Sequence, residues 1–186
     1  MGPNFSVREL AVCALFGAMI FAEGLILGTA VISLTGIPAT GSLLNMFFAL
    51  MLIVIGIKLV PKFGAATLIT AILGVLSIPT VINGPPGVQK VLITFLLGFL
   101  FDVIVYLGSR SNKSHIVAAS VGAPGLILMV YVELLVLGLP GLAQLQPVLV
   151  PLMLANLVLG AAGAYTGLWV YEKKLKSRAF VSRIRC

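Results

Sequence analysis

The chain has 186 residues, of which 60% are hydrophobic and only 9% charged, against roughly 25% charged in an ordinary soluble domain. That deficit excludes a water-soluble catalytic domain of any size. The net charge of +7 does not point to nucleic acid either, because the basic residues are spread over connecting segments and the C-terminal tail.

Six apolar stretches follow in chain order, at residues 7–29, 40–60, 63–81, 86–108, 114–139 and 147–171, with a basic tail at 172–186. A helix needs about 20 apolar residues to cross a bilayer, so six crossings consume roughly 120 to 140 residues and leave only short connections. Backbone N–H and C=O groups cannot go unpaired in lipid, so each stretch is expected to be helical. The expected fold is an all-α integral membrane protein, one domain built as a six-transmembrane-helix bundle. In the first stretch Ala11, Ala14, Ala18 and Ala22 share an arc of about 80°, and Glu23 points roughly 100° to 180° away from them. Small-residue faces let helices approach closely in lipid, either inside one bundle or against a partner.

Turn chemistry marks the breaks: Gly36-Ile37-Pro38, Pro61-Lys62, Asn83-Gly84-Pro85-Pro86-Gly87, the run from Ser109 to Ser114, and Leu139-Pro140-Gly141. Pro124 and Pro151 fall inside stretches, where each should kink a helix or mark a later start. The two cysteines, Cys13 and Cys186, are far apart in sequence, and no internal disulfide is expected.

Orientation follows from Lys and Arg. With the N-terminus inside, eleven of the twelve basic residues fall on the inner side: Arg8, Lys58, Lys62, Arg110, Lys113, Lys173, Lys174, Lys176, Arg178, Arg183 and Arg185. Lys90 alone falls outside. This bias predicts cytoplasmic N- and C-termini, with the tail touching anionic headgroups.

A charged residue within a span costs about 2.5–3.5 kcal/mol on insertion scales and needs a reason. Glu23, Asp102 and Glu133 are such residues. In this topology Glu23, Asn45, Lys90, Glu133 and Asn156 gather in the outer half of the bundle and are the candidate substrate-binding residues, because a few polar groups in an apolar cavity make a small-molecule site. Each has a plainer reading. The acids could pair with Lys90 or be protonated. Lys90 could snorkel to the interface. Asn156, on one face with Gly160, Gly163 and Gly167, could bridge helices. Asp102, towards the inner side, reads as a structural or pairing residue, and His115 as an interface residue. The chain has no GxxxxGK[ST] loop, no GxSxG motif, one histidine and two distant cysteines. Nucleotide hydrolysis by this chain, serine chemistry and a metal cluster are therefore not expected, and no cofactor is implied.

The run Ala14-Leu15-Phe16-Gly17-Ala18-Met19-Ile20-Phe21-Ala22 carries the AxxxA pattern twice. With Lys62-Phe63-Gly64-Ala65-Ala66, the turn Gly84-Pro85-Pro86-Gly87 and a fourth stretch closing on Arg110, it resembles a substrate-binding S component of an energy-coupling factor (ECF) transporter. The pattern is most similar to the subgroup linked to thiamine precursors such as hydroxymethylpyrimidine. The resemblance spans nearly the whole chain. It implies high-affinity capture of a vitamin or precursor from outside, without catalysis. A membrane coupling subunit and two cytoplasmic ATPase subunits would drive release inside, by toppling of the S component. In that scheme Ala11, Ala14, Ala18 and Ala22 slide against the coupling subunit, and the segment from Ala30 to Thr40 is a loop that closes the pocket. Other classes consistent with the sequence are a non-transporting membrane scaffold or assembly protein, a stand-alone carrier, and an intramembrane enzyme using its acids.

Overall fold

A computed structural model describes residues 5–36, 38–81, 85–138, 141–178 and 181. Ile37, Asn83, Gly84, Leu139, Pro140, Arg183, Arg185 and Cys186, named above, lie outside the described residues. Among those described, every regular element is helical. The elements are α1 (Val7–Glu23), α2 (Thr29–Thr35), α3 (Ser42–Leu59), α4 (Ala65–Ser77), α5 (Gln89–Leu107), α6 (Asn112–Leu137), α7 (Gly141–Leu145) and α8 (Leu149–Val170). Wider π turns occupy Gly24–Gly28 and Tyr171–Leu175.

Four helices among the described residues are long and apolar enough to cross a membrane: Val7–Leu34, Gln89–Leu107, Asn112–Leu137 and Gly141–Leu175. Leu43–Leu59 and Ala65–Ser77 are equally apolar but shorter. Large apolar side chains such as Leu15, Ile26, Val75, Leu92, Val121 and Leu154 stay exposed on the outer faces. So much uncovered apolar surface suits hydrocarbon and would be a liability in water.

The long helices close a ring. α1 packs on α4, α4 on α5, α5 on α6, α6 on α8, α8 on α3, and α3 back on α1. Glycine contacts give the directions. Gly163 and Gly167 of α8 meet Phe47 and Met51 of α3 in rising order, so these two helices run parallel. Gly74 of α4 meets Lys90, Val91 and Thr94, whereas Gly98 of α5 meets Ala66, Thr67 and Thr70, so α4 and α5 run antiparallel.

Asn156 does share its face with Gly160, Gly163 and Gly167, and that face is where α8 wedges between α3 and α6. A Cβ on Gly160 would lie 2.7 Å from the Ala119 carbonyl oxygen, one on Gly167 2.7 Å from that of Met51, and one on Gly163 would press into the Phe47 carbonyl. Gly163→Ala should therefore push α8 off α3, at about 1–3 kcal/mol, the usual range for overpacking. A thermal melt of the purified variant checks this; an unchanged midpoint would mean the two backbones are not held so close.

Two sequence expectations change. The segment from Ala30 to Thr40 is not a loop throughout: after one π turn the first helix continues to Thr35. It stops at Gly36, whose left-handed φ of 69° is the conformation glycine adopts without steric penalty. The third apolar stretch yields only 13 helical residues, Ala65–Ser77. Pro79 follows, and a proline has no N–H to carry the helical ladder on, so the helix ends there although Ile78 itself keeps a helical backbone conformation. Pro151 falls in the first turn of α8, which starts at Leu149, the later start that was one of its two readings, and a missing N–H costs little there; Pro124 lies inside a continuous α6.

Candidate functional site

One end of the bundle is fixed by a chain of polar contacts. Lys62 Nζ lies 2.7 Å from Glu9 Oε2 at the start of α1. Lys58 donates to Asn112 Oδ1 at 2.8 Å, and Asn112 Nδ2 donates to Glu172 Oε1 at 2.7 Å. Arg110 donates to the Pro61 carbonyl. These contacts bring together the start of α1, the end of α3, the end of α5, the start of α6 and the residues after α8.

The opposite helix ends carry the five candidate binding residues. Glu23 closes α1, Asn45 lies in the first turn of α3, and Lys90 is the second residue of α5. Glu133 lies in the last two turns of α6, and Asn156 in the second or third turn of α8. Gly28 and Gly41 cross closely, a Cβ on Gly28 falling 3.7 Å from the Gly41 carbonyl oxygen. Glu23 lies five residues before that crossing and Asn45 four after it, which at about 1.5 Å per residue sets both roughly 6–8 Å inward.

All five are withdrawn from the surface: Lys90 and Asn156 are 0% exposed, Asn45 7%, Glu133 8%, and Glu23 is half-buried. Both carboxylate oxygens of Glu23, both of Glu133, and Oδ1 of Asn45 are buried without a hydrogen-bond partner among the described residues. Buried polar atoms in folded proteins are nearly always paired, so five such oxygens at one end of a small bundle call for an explanation. Glu23 directly precedes the π turn Gly24–Gly28. A π turn inserts a residue into the helical ladder, a distortion that recurs at functional sites.

Lys90 neither snorkels nor forms an ion pair with either acid among the described residues. Its ammonium is buried and donates to the carbonyl of Ser77, at 3.1 Å, and to that of Thr80. It thus closes the C-terminal end of α4, where a cation also favours the helix dipole. Glu133 lies within its electrostatic reach. Asn156 donates from Nδ2 to the Leu152 carbonyl at 2.8 Å.

Asp102 is a fastening residue. Its Oδ1 accepts from Ala66 N at 3.2 Å; its Oδ2 accepts from Thr67 N at 2.8 Å and Thr67 Oγ1 at 2.6 Å. A carboxylate on α5 thereby satisfies the unpaired donors that begin α4. His115 is 2% exposed, with Nδ1 donating to the Ser111 carbonyl at 2.7 Å. Ala11, Ala14, Ala18 and Ala22 are all exposed, on the side of α1 away from the ring.

Sequence reading overlooked Glu9. It completes a capping box with Ser6: Ser6 N donates to Glu9 Oε2 at 2.7 Å, and Glu9 N to Ser6 Oγ at 3.3 Å. The Ser6-x-x-Glu9 spacing was the available signal.

Chemically, the buried oxygens of Glu23, Asn45 and Glu133 are hydrogen-bond acceptors at one end of the bundle. They suit a ligand bearing N–H donors. Among the described residues no group of three or more His, Cys, Asp or Glu is placed to hold a metal. No known family model matches the chain, and no curated protein or solved structure does so either.

Proposed function

We propose that this chain is the substrate-capturing membrane subunit of an importer for a small vitamin or vitamin precursor. In this reading it crosses the plasma membrane six times, α3 and α4 supplying the two shorter crossings, with both termini in the cytoplasm. The observation that carries the proposal is the set of five buried, unpartnered oxygens on Glu23, Asn45 and Glu133. An apolar bundle keeps such groups only at a cost, and a ligand donating N–H bonds repays it. An aminopyrimidine of the thiamine-precursor type has that chemistry.

The exposed alanine face of α1 supports docking of a membrane coupling subunit, since small residues permit close helix approach. Two cytoplasmic ATPase subunits would supply the energy, because this chain has no phosphate-binding loop of its own. The chain binds and does not transform its substrate.

Thermal-shift screening of the purified protein against thiamine, hydroxymethylpyrimidine and other vitamins tests this reading. A ligand at 100 times its Kd stabilises by about 2.7 kcal/mol, which for a chain of this size is roughly 5–10 °C. No shift with any of these compounds, together with no ATPase complex copurifying from native membranes, would overturn it.

A further inference from the structure

We propose that the basic end of the bundle seats the headgroup of one anionic phospholipid, with its acyl chains lying along an aromatic strip formed by Phe63, just before α4, and by Phe99 and Tyr106 on α5. This inference rests on membrane residence alone and is independent of the substrate reading. A cavity of about 230 Å³ opens at that end, and its polar lining includes Lys58, Lys62, Arg110, His115, Glu172 and Lys176. Asp102 also lines it, but its oxygens are committed to the start of α4. Among the described residues four cations therefore face two acids, and counting Glu9 on Lys62 still leaves positive charge in excess.

Three of the four cations have fixed partners, Lys62 pairing with Glu9. Lys58 is fixed by Asn112 and Arg110 by the Pro61 carbonyl. Ser109 and Arg110 both adopt a left-handed φ of 55°, a conformation disfavoured for residues with a side chain and kept where surrounding structure enforces it. It turns the chain so that Arg110 reaches the cavity. The buried His115 adds an Nε2 that can accept a headgroup hydroxyl, since Nδ1 is engaged with Ser111.

The apolar side of the cavity distinguishes a lipid from a soluble anion. Phe63 and Tyr106 line it, and their rings meet edge-on at 5.7 Å. Phe63 also meets Phe99 at 6.1 Å, two turns further along α5. All three rings are exposed on the outer face. An exposed aromatic strip running from a basic cavity into the hydrocarbon region fits an amphiphile with an anionic head, and basic pockets between membrane helices are known headgroup sites.

Native mass spectrometry of the protein in neutral detergent tests this. The probes are phosphatidylglycerol, phosphatidylcholine, glycerol 3-phosphate and inorganic phosphate. One phosphatidylglycerol should be retained at least tenfold over phosphatidylcholine. Lys58→Gln and Lys176→Gln should each lower its retention by roughly fivefold, and Tyr106→Ala should lower it as well. Lys176 is exposed, so its variant folds irrespective of the cavity and keeps the test decisive. Equal retention of phosphatidylcholine, or full retention by Lys176→Gln, would overturn the proposal. So would glycerol 3-phosphate or inorganic phosphate binding as tightly as the lipid, which would make the cavity a soluble-anion site.

Discussion

Replacing Glu133 with Met should make the ligand-free protein more stable and the ligand undetectable. The same holds for Glu23→Met. Both carboxylates are buried with no partner among the described residues, so removing one relieves a desolvation penalty of about 1–3 kcal/mol. Met matches Glu in length and fills the same space, so no cavity forms. A gain of that size raises the melting midpoint by roughly 2–12 °C. The ligand-induced shift should vanish in both variants, because the N–H donors of the ligand lose their acceptors. A structural role predicts the reverse sign: a carboxylate that braces helices would destabilise the free protein when removed. Differential scanning fluorimetry with and without hydroxymethylpyrimidine separates the two. A fall in the ligand-free midpoint of both variants would sink the binding assignment for these acids.

Asp102→Ala should be the most damaging single change in the described structure. It deletes the acceptor for two backbone donors of α4 and for the Thr67 hydroxyl, leaving all three unsatisfied in a buried place. Hydrogen bonds to a charged group contribute about 1.5–3 kcal/mol each, so a loss of at least 3–5 kcal/mol is expected, seen as aggregation or poor yield after detergent extraction. Asp102→Asn keeps one carbonyl oxygen and should recover part of the loss, whereas Thr67→Val should cost only about 1–2 kcal/mol. Size-exclusion profiles and melts of the three variants give the ranking. Equal behaviour of Asp102→Ala and wild type would mean that α4 does not depend on this carboxylate.

The apolar stretches were legible because a span must be long and oily, and that signal survives without tertiary information. Helix ends were less legible where two rules competed. At Ala30 the β-branched and polar run Thr29 to Thr35 resembles a loop, yet the helix persists because leaving it would strand backbone groups. Gly36 followed by Pro38 was the stop signal, six residues later than expected. The π turn at Gly24–Gly28 left no mark in composition, since it is a matter of ladder register. That Glu23 and Glu133 would need a reason to lie in oily runs was legible from charge cost alone, and both carboxylates are buried. The duty of Asp102 was not, because the donors it serves belong to α4, 35 and 36 residues away in sequence. Lys90 misled for the same reason. Its ammonium answers the carbonyls that end α4, and no local pattern reveals which helix end will lie beside it.

The first rod, Val7–Leu34, has 28 residues, and its ring neighbour α4 has 13. At about 1.5 Å per residue these are roughly 42 Å and 20 Å long, set against a hydrocarbon core of about 30 Å. The molecule is thus tall on one flank and short on the next, with the step falling between two adjacent helices. In the six-crossing arrangement proposed above, a bilayer meeting this outline would thin beside α4 and thicken, or let the rod lean, beside α1, at a fraction of a kcal/mol per Å of mismatch. No upright pose satisfies both flanks at one thickness, so in that arrangement membrane thickness would bear on how the whole bundle stands.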